Sequence, residues 1–210
     1  MNTLAGNAHR ITDVESLEKL YGLPAGAAVA KEIDYLHPHY QKLIAASPFF
    51  VLATGGADGM DASPRGDAPG FVEVADEKTL LVPDRRGNNR IDSLRNIIAN
   101  PRVALLFLIP GIGETLRVNG RAEISTDPAL LARFSVEGKL PRSVLVVRVD
   151  TVFFQCARAI FRSKLWDPDR QIERGSLPSL GTIVADLTHA QFDGKEYDKG
   201  LYERLKGALY

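Results

Sequence analysis

Apolar and polar residues alternate along the chain in a way that predicts a mainly β protein. The clearest alternation runs over 115–124, where leucine, valine and isoleucine share one face and threonine, arginine and asparagine share the other. This pattern is typical of a strand with one buried face. Further strands are predicted over 49–54, 60–63, 71–74, 79–82, 103–109 and 143–154. The nearly continuous apolar run 103–109 predicts a strand buried on both faces.

Helical spacing of apolar residues appears mainly towards the two ends of the chain. It predicts helices over 12–21, 25–30, 37–46, 91–100, 182–189 and 195–209, and one of about ten residues after Thr126-Asp127-Pro128. Helices do not alternate regularly with strands, which favours a small antiparallel β-barrel with added helices over a doubly wound fold. We predict one structural domain in three parts: a helical arm (1–46) packed on the barrel, a barrel core (47–168) and a helical extension (169–210).

Composition narrows the class of protein. The 210 residues carry 26 basic and 26 acidic side chains. A net charge of zero argues against a general nucleic-acid binder, including a DNA-binding module built on the arginines at 85–90. The N-terminus has no secretory pattern, and no apolar run approaches the roughly 20 residues that span a bilayer, so no membrane partner is expected. A single cysteine, Cys156, gives no disulfide framework, and we expect a cytoplasmic location.

The most distinctive polar segment is the basic turn, Pro83–Arg90, between a predicted strand and a predicted helix. It holds Arg85, Arg86 and Arg90 together with Gly87 and two asparagines. Guanidinium and amide groups are donors that suit a phosphate, and a helix start adds a partial positive charge. Two interpretations stay open, a phosphate-monoester site and a solvated basic turn. For Arg86, a surface ion pair is the favoured interpretation.

Other candidate chemistry is weaker. His37 and His39 have no acidic or cysteine partner at metal-ligand spacing, so we predict surface or capping histidines and no metal site. Cys156 lies beside an apolar strand, which predicts a buried and inert thiol. No nucleophile elbow and no P-loop is present, and no catalytic residue is assigned.

Three motifs occur in an informative order: Ala62–Asp67, then Pro83–Gly120, then Arg162–Trp166. In this order the chain resembles the pyridoxamine 5'-phosphate oxidase-like family of FMN-binding split barrels, over roughly Ser47 to Pro168. The resemblance implies a split-barrel fold and bound FMN. It also implies a homodimer with flavin at the interface. The family's usual Ser-Arg-Lys phosphate triplet is missing, and Asn88-Asn89-Arg90 is its nearest equivalent.

The resemblance also implies roles for individual residues. The predicted phosphate ligands are Ser63, Arg65, Arg85, Asn88, Asn89 and Arg90. The flavin ring is expected against the backbone amides of Val82, Pro83 and Asp84, with Thr115 near its pyrimidine end. Arg117 shares the strand face of Thr115, and a structural ion pair is an equal alternative for it. Ser163 and Trp166 are expected to reach the flavin of the partner subunit, and ordinary packing is an equal alternative for Trp166.

The first functional hypothesis is an FMN-dependent oxidoreductase that acts on an unknown small molecule with an unidentified electron donor. A true pyridoxamine 5'-phosphate oxidase is less expected, because the chain departs after Trp166 from the C-terminal tryptophan and arginine pair that holds the substrate phosphate. The alternative is a carrier that binds flavin, haem or deazaflavin without turnover, since one fold serves all these ligands.

Overall fold

The computed structural model describes residues 9–57 and 59–210. These divide into two compact units, one that ends at Glu32 and one that spans Ile33–Tyr210. The first unit contains helices α1 (Val14–Tyr21) and α2 (Ala27–Ala30). Asp13 caps α1, because its carboxylate accepts the Ser16 N–H at 2.8 Å. Among the described residues, no helix is both long enough and apolar enough to cross a membrane.

The second unit is built on a single antiparallel sheet of seven strands. They are β1 (Phe49–Gly56), β2 (Gly59–Gly66), β3 (Glu73–Asp76), β4 (Thr79–Asp84), β5 (Arg102–Leu108), β6 (Thr115–Ser125) and β7 (Ser143–Gln155). Their order across the sheet is β2-β1-β5-β6-β7-β4-β3. The sheet confirms the predicted mainly β fold, an antiparallel split barrel with added helices.

Helices of the second unit lie between and after the strands. They are α3 (Pro38–Ala46), α4 (Asp92–Ala99), α5 (Pro128–Arg133), α6 (Arg158–Ser163), α7 (Leu180–Leu187), α8 (Gly194–Asp198) and α9 (Leu201–Lys206), with 3-10 turns at Pro168–Arg170 and Arg174–Ser176. His37 caps α3, since its Nδ1 accepts the His39 N–H at 3.2 Å. His37 is therefore a capping histidine and His39 is exposed, as predicted.

The hydrophobic core lies on the inner side of the sheet, and each central strand contributes one face to it. Phe50, Leu52, Leu105 and Phe107 are buried in it, and Leu36 and Ile44 cover it from α3 and the preceding loop. β5 differs from its prediction, because its residues alternate between buried and half-buried positions. Its outer face is apolar in sequence but only partly covered, which the apolar run by itself could not reveal.

Three other predictions need correction. The strand predicted over 60–63 is longer than expected, because residues 64–66 continue β2 and Pro64 and Arg65 pair with β1. Proline is tolerated there because β2 is an edge strand. The helix predicted over 195–209 is broken at Lys199–Gly200, where Gly200 has a left-handed φ of 65°. Cys156 is exposed, since β7 ends at Gln155 just before it.

β6 and β7 form the longest strand pair, and a bulge bends it. Asn119 pairs with Thr151 while Gly120 pairs with Val149, so Asp150 is the extra residue. A Cβ atom built on Gly120 would overlap the Arg148 carbonyl group. Only glycine therefore allows the two backbones to approach at the bulge.

Two ion pairs join the ends of β2 and β4 across the split in the sheet. Arg65 on β2 pairs with Asp84 at the end of β4. Just beyond both strands, Arg85 Nε donates to Asp67 Oδ2 at 2.7 Å. The β2 side supplies the arginine of the first pair and the aspartate of the second, and the β4 side supplies the opposite charges. We call these four residues the seam.

The Asp67 carboxylate is the most buried side chain of the seam, with 4% of its surface exposed. The Tyr210 hydroxyl donates to its Oδ1 at 2.5 Å, and the Arg85 guanidinium lies 5.4 Å from the centre of the Tyr210 ring. Burial by itself would raise the pKa of Asp67. Hydrogen bonds from Tyr210 and the Ala68 N–H, with Arg85 beside the carboxylate, outweigh burial and hold this pKa below its ordinary value.

Replacement of Gly120 by alanine tests the bulge. We expect Gly120→Ala to lower the free energy of unfolding by about 1–3 kcal/mol, because β6 and β7 must separate to admit the new methyl group. Urea unfolding measures this loss. Gly175→Ala is the control, since a Cβ atom there meets nothing within 4 Å. Equal stability of the two variants would contradict the close approach.

Removal of the Tyr210 hydroxyl tests the seam. We expect Tyr210→Phe to lose about 1 kcal/mol of stability at pH 7, because the Asp67 carboxylate loses a donor. Because the pKa of Asp67 is lower in the folded protein than in the unfolded chain, its carboxylate stabilises the fold fully at pH values above the unfolded pKa of about 3.9. This stabilisation is lost as the pH falls through the pKa of the folded protein. The difference from wild type should therefore shrink below about pH 4.

Urea unfolding between pH 3 and pH 8 checks this pH dependence. The control is Tyr202→Phe, which removes a hydroxyl from a side chain that is 60% exposed. If the loss of stability in Tyr210→Phe did not change with pH, the Tyr210 hydroxyl would not act through the Asp67 carboxylate.

Candidate functional site at the seam

A cavity of about 520 Å³ opens beside the seam, within the size range of small-molecule sites. Its walls come from the end of β2, the basic turn, the start of α4 and the residues at the start of β7. The lining residues are Ser63, Pro64, Arg65, Gly66, Phe71, Pro83, Asp84, Arg85, Arg86, Gly87, Asn88, Asn89, Arg90, Ile91, Leu94, Arg142 and Ser143. Five of these described residues are arginines, and Asp84 is the single carboxylate, so positive side chains outnumber negative ones in the lining.

In both asparagines of the basic turn, the side-chain oxygen already accepts a hydrogen bond. Asn88 Oδ1 accepts the Arg90 N–H at 3.0 Å, and Asn89 Oδ1 accepts Arg142 Nη1 at 2.8 Å. Asn89 has a left-handed φ of 61°, a conformation that asparagine tolerates better than most residues. Because the carbonyl oxygens are the acceptors, the NH2 group of each side chain remains a donor. The turn thus offers two neutral donors at its tip.

The arginines of the predicted site differ in their ion-pair and hydrogen-bond partners. Arg85 is committed to the fold, since it bonds Asp67 and its Nη1 donates to the Phe134 carbonyl at 2.6 Å. Arg65 pairs with Asp84, but its buried Nε has no acceptor among the described residues. Arg90 is 77% exposed and pairs with Asp92. The surface ion pair predicted for Arg86 is not formed with any described residue, so Arg86 keeps its charge unpaired.

Arg142 is a lining residue that sequence reasoning missed. It precedes β7, and its N–H donates to the Asp84 carbonyl at 3.3 Å while its side chain reaches Asn89. The pairing of β4 with β7 brings it to the basic turn from more than 50 residues away. The available signal was a Pro-Arg pair at the start of a predicted strand, which does not by itself indicate a partner.

One edge of β4 is open beside the cavity. β3 begins at Glu73 opposite Leu81, so the last three residues of β4 pair with β7 alone among the described strands. The Val149 N–H donates to the Lys78 carbonyl. Because every second residue of a strand directs its N–H group to the same neighbouring strand, the N–H groups of Val82 and Asp84 also face β7. Pro83 has no N–H. The open edge therefore presents the Pro83 carbonyl oxygen, an acceptor, where sequence reasoning expected amide donors.

The structure brings together eight of the predicted site residues and places four outside the lining of the cavity. Val82 is adjacent, but its side chain is buried in the core. Thr115 Oγ1 bonds Gln155 at 3.2 Å on the paired strands β6 and β7. Ser163 Oγ donates to the Ile160 carbonyl within α6, and Trp166 Nε1 donates to the Ile112 carbonyl at 2.8 Å. Trp166 lines a separate apolar cavity of about 250 Å³.

The lining of the large cavity combines polar and apolar side chains. Three arginines and both asparagine amides lie on the basic turn, whereas Phe71, Leu94 and Ile91 supply apolar surface. α4 begins at Asp92, and Ile91 before it offers no side-chain acceptor to the first N–H groups of the helix. This donor set fits a ligand with a phosphate at one end and a flat, partly apolar body.

Comparison with known proteins agrees with this geometry at the level of the family. The model of the pyridoxamine 5'-phosphate oxidase family matches residues 36–156, which is more than half of the chain. No curated protein matches the chain.

Solved structures of similar fold include three from bacteria. HupZ of Group A Streptococcus is 22% identical over 57% of this chain and 94% of its own, with a TM-score of 0.47. General stress protein 26 of Bacillus anthracis is 21% identical over 54% and 88%, with a TM-score of 0.42. An FMN-binding protein of Syntrophomonas wolfei is 12% identical over 67% and 95%, with a TM-score of 0.42. On the extent of the family match, the chain belongs to the pyridoxamine 5'-phosphate oxidase family.

Proposed function

We propose that the chain is an FMN-binding flavoprotein and that it acts as an FMN-dependent oxidoreductase on a small molecule. The observation that carries the proposal is the cavity at the seam, where a phosphate-suited turn and an open strand edge share one pocket of about 520 Å³. Bound FMN would supply the redox chemistry, by accepting and donating a hydride or electrons. The residues of this chain bind and orient the cofactor.

The phosphate end of FMN is assigned to the basic turn. The NH2 groups of Asn88 and Asn89 and the guanidinium groups of Arg65, Arg86 and Arg90 are its donors. Arg85 serves mainly by holding the turn in place, because Asp67 and the Phe134 carbonyl already occupy its Nε and Nη1. A dianionic phosphate would offset the positive charge that these side chains bring together.

The flavin ring is assigned to the open edge of β4. A flavin ring carries one N–H among several acceptors, and the Pro83 carbonyl is an acceptor that suits this N–H. Phe71 and Leu94 supply apolar surface in the same cavity. In this placement Pro83 contacts the ring through its backbone carbonyl, whereas the N–H groups of Val82 and Asp84 face β7.

Haem fits the cavity less well than flavin. Haem iron is held by histidine, cysteine, methionine or tyrosine side chains. None of these residue types occurs among the described residues that line the cavity. Its walls therefore supply no axial ligand, whereas they do supply donors for a phosphate.

A homodimer with flavin at the interface is part of the proposal, with Ser163 and Trp166 of one subunit reaching the site of the other. Support comes from the surface around Trp166, where Ile112, Phe161 and Leu165 are 43%, 71% and 50% exposed. Such an apolar group on a surface is typical of an interaction site. A molar mass for one chain only, measured by light scattering on the FMN-loaded protein, would contradict this arrangement.

Substitution of Asn88 tests the phosphate assignment. Asn88→Asp keeps the acceptor for the Arg90 N–H but replaces the NH2 donor with a negatively charged oxygen. We expect the affinity for FMN to fall about tenfold or more, and the affinity for riboflavin, which lacks the phosphate, to change little. Quenching of flavin fluorescence measures both affinities.

Asn100→Asp is the matched control, because Asn100 Oδ1 also accepts the N–H two residues ahead, from Arg102 at 3.2 Å, and lies outside the cavity lining. Equal losses for FMN and riboflavin would place the phosphate elsewhere. If wild-type protein mixed with FMN kept no flavin absorbance after desalting, the flavin assignment itself would fail.

Turnover separates the oxidoreductase from a carrier. We expect the FMN-loaded protein to be reduced anaerobically by NADH or NADPH and reoxidised by an added acceptor, with the visible absorbance of the flavin as the readout. Free FMN at the same concentration is the control. Reduction no faster than that of free FMN would favour a flavin carrier.

A further inference from the structure

Tyr210 connects the helical extension (169–210) to the seam. The eight residues before it, 202–209, are exposed, whereas Tyr210 is half-buried. Its hydroxyl donates to Asp67 Oδ1 at 2.5 Å, and its ring centre lies 5.4 Å from the Arg85 guanidinium. One side chain thus contacts both members of a seam ion pair, although 143 positions separate it from Asp67 in the sequence.

The Arg85 guanidinium is held by groups from three separate segments. Its Nε donates to Asp67 at 2.7 Å, its Nη1 donates to the Phe134 carbonyl at 2.6 Å, and the Tyr210 ring lies against it. The Arg85 side chain is only 16% exposed. A cation–π contact is stronger when the cation is shielded from water. The ring of Tyr210 therefore helps to orient Arg85.

The basic turn beyond Arg85 has few fixed points of its own. A Cβ atom at Gly87 would meet nothing within 4 Å, and Arg86 pairs with no carboxylate among the described residues. Glycine also leaves the backbone free to change conformation. Asn89 is the next residue tied to another segment, through Arg142. The position of the turn thus depends on the orientation of Arg85.

Tyr210 also completes the hydrogen bonds of a buried carboxylate. Asp67 Oδ1 accepts the Ala68 N–H at 2.8 Å as well as the Tyr210 hydroxyl, while Oδ2 accepts Arg85 Nε. The bond to this carboxylate raises the pKa of the Tyr210 hydroxyl above its ordinary value, so the hydroxyl keeps its proton at neutral pH. Without that hydroxyl, Oδ1 lacks a donor, and Arg85 or water must move to supply one.

The helical extension that carries Tyr210 is braced internally. α7 and α8 meet at Gly181 and Gly194, where a Cβ atom on either glycine would overlap the backbone carbonyl of the other. Asp198 of α8 accepts the Gly181 N–H at 2.8 Å. The Arg204 guanidinium of α9 donates to carbonyl groups at the end of α8. These contacts give Tyr210 a defined support.

We propose that Tyr210 is a positioning residue for the flavin phosphate: by holding Arg85 and Asp67, it fixes the basic turn in the conformation that binds the phosphate. Tyr210 is not among the described residues that line the larger cavity, whereas Arg85 is, so Tyr210 acts through Arg85. Donors that are already ordered bind a ligand more tightly, because less freedom is lost on binding. The inference rests on the proposed function and assigns part of the FMN affinity to the helical extension.

The test compares Tyr210→Ala and Tyr210→Phe with wild type in titrations with FMN and with riboflavin. Flavin fluorescence is followed at a temperature where circular dichroism shows each variant to be folded. We expect Tyr210→Ala to lower the affinity for FMN about fivefold to tenfold and to leave the affinity for riboflavin within about twofold, because only FMN has a phosphate for the basic turn. Tyr210→Phe keeps the ring against Arg85 and should recover part of the loss. If Tyr210→Ala does not fold, Tyr210→Phe decides the test, with an expected loss of about twofold to fourfold for FMN alone.

Tyr202→Ala is the matched control, since it removes the same side chain from α9, where Tyr202 is 60% exposed. The proposal would be overturned if Tyr210→Ala bound FMN as tightly as Tyr202→Ala does. Equal losses for FMN and riboflavin would also overturn it, because a general loss of structure does not distinguish the two ligands.

Amide hydrogen exchange separates failure of this inference from failure of the proposed function. Should wild type bind no FMN, the proposed function fails, and exchange in the unloaded protein still tests the action of Tyr210 on the basic turn. We expect exchange in peptides that cover 85–92 to be about fivefold faster in Tyr210→Ala than in Tyr202→Ala, with exchange in β6 unchanged. Equal exchange of the basic turn in the two variants would overturn the inference.

Discussion

The site depends on the exchanged ion pairs of the seam. β2 and the β3–β4 hairpin are the two edges of one sheet, and no strand pairing joins them among the described residues. Arg65 with Asp84 and Asp67 with Arg85 hold these edges together, and both pairs are largely shielded from water. Loss of one partner would leave a buried charge uncompensated, which costs about 3–5 kcal/mol. The seam therefore fixes the position of the basic turn that follows β4.

Four of the five arginines that line the cavity fall into two groups with different roles. Arg65 and Arg85 pair with the seam carboxylates, whereas Arg86 and Arg142 line the cavity and pair with no carboxylate among the described residues. The two seam arginines lie on or directly after a strand end, and the fifth arginine, Arg90, pairs with Asp92 at the surface. Rigid structural pairs thus position donors that remain available to a ligand, which reduces the cost of ordering them on binding.

Much of the fold and of the candidate site could be predicted from the sequence, and the features that could not be predicted share a physical cause. Alternation found β6, and residue types singled out the basic turn, because both signals are local. Sequence could not show that Asp84 and Asp67 neutralise two of the predicted phosphate ligands, since each pair joins residues 18 or 19 positions apart across the split. Arg142 was missed for the same reason, because it reaches the turn only through the pairing of β4 with β7.

Neutrality of the whole chain is compatible with a locally positive site, and the structure explains how. The 26 acidic residues balance the 26 basic ones in number. Three of the five arginines that line the larger cavity pair with carboxylates, whereas Arg86 and Arg142 pair with none among the described residues. Solvent and salt screen charges beyond about 8–10 Å, so distant carboxylates do little to offset these arginines. A small anionic ligand inside the cavity meets the local field, whereas an extended polyanion meets the average surface. The charge distribution thus favours a phosphorylated small molecule over a nucleic acid.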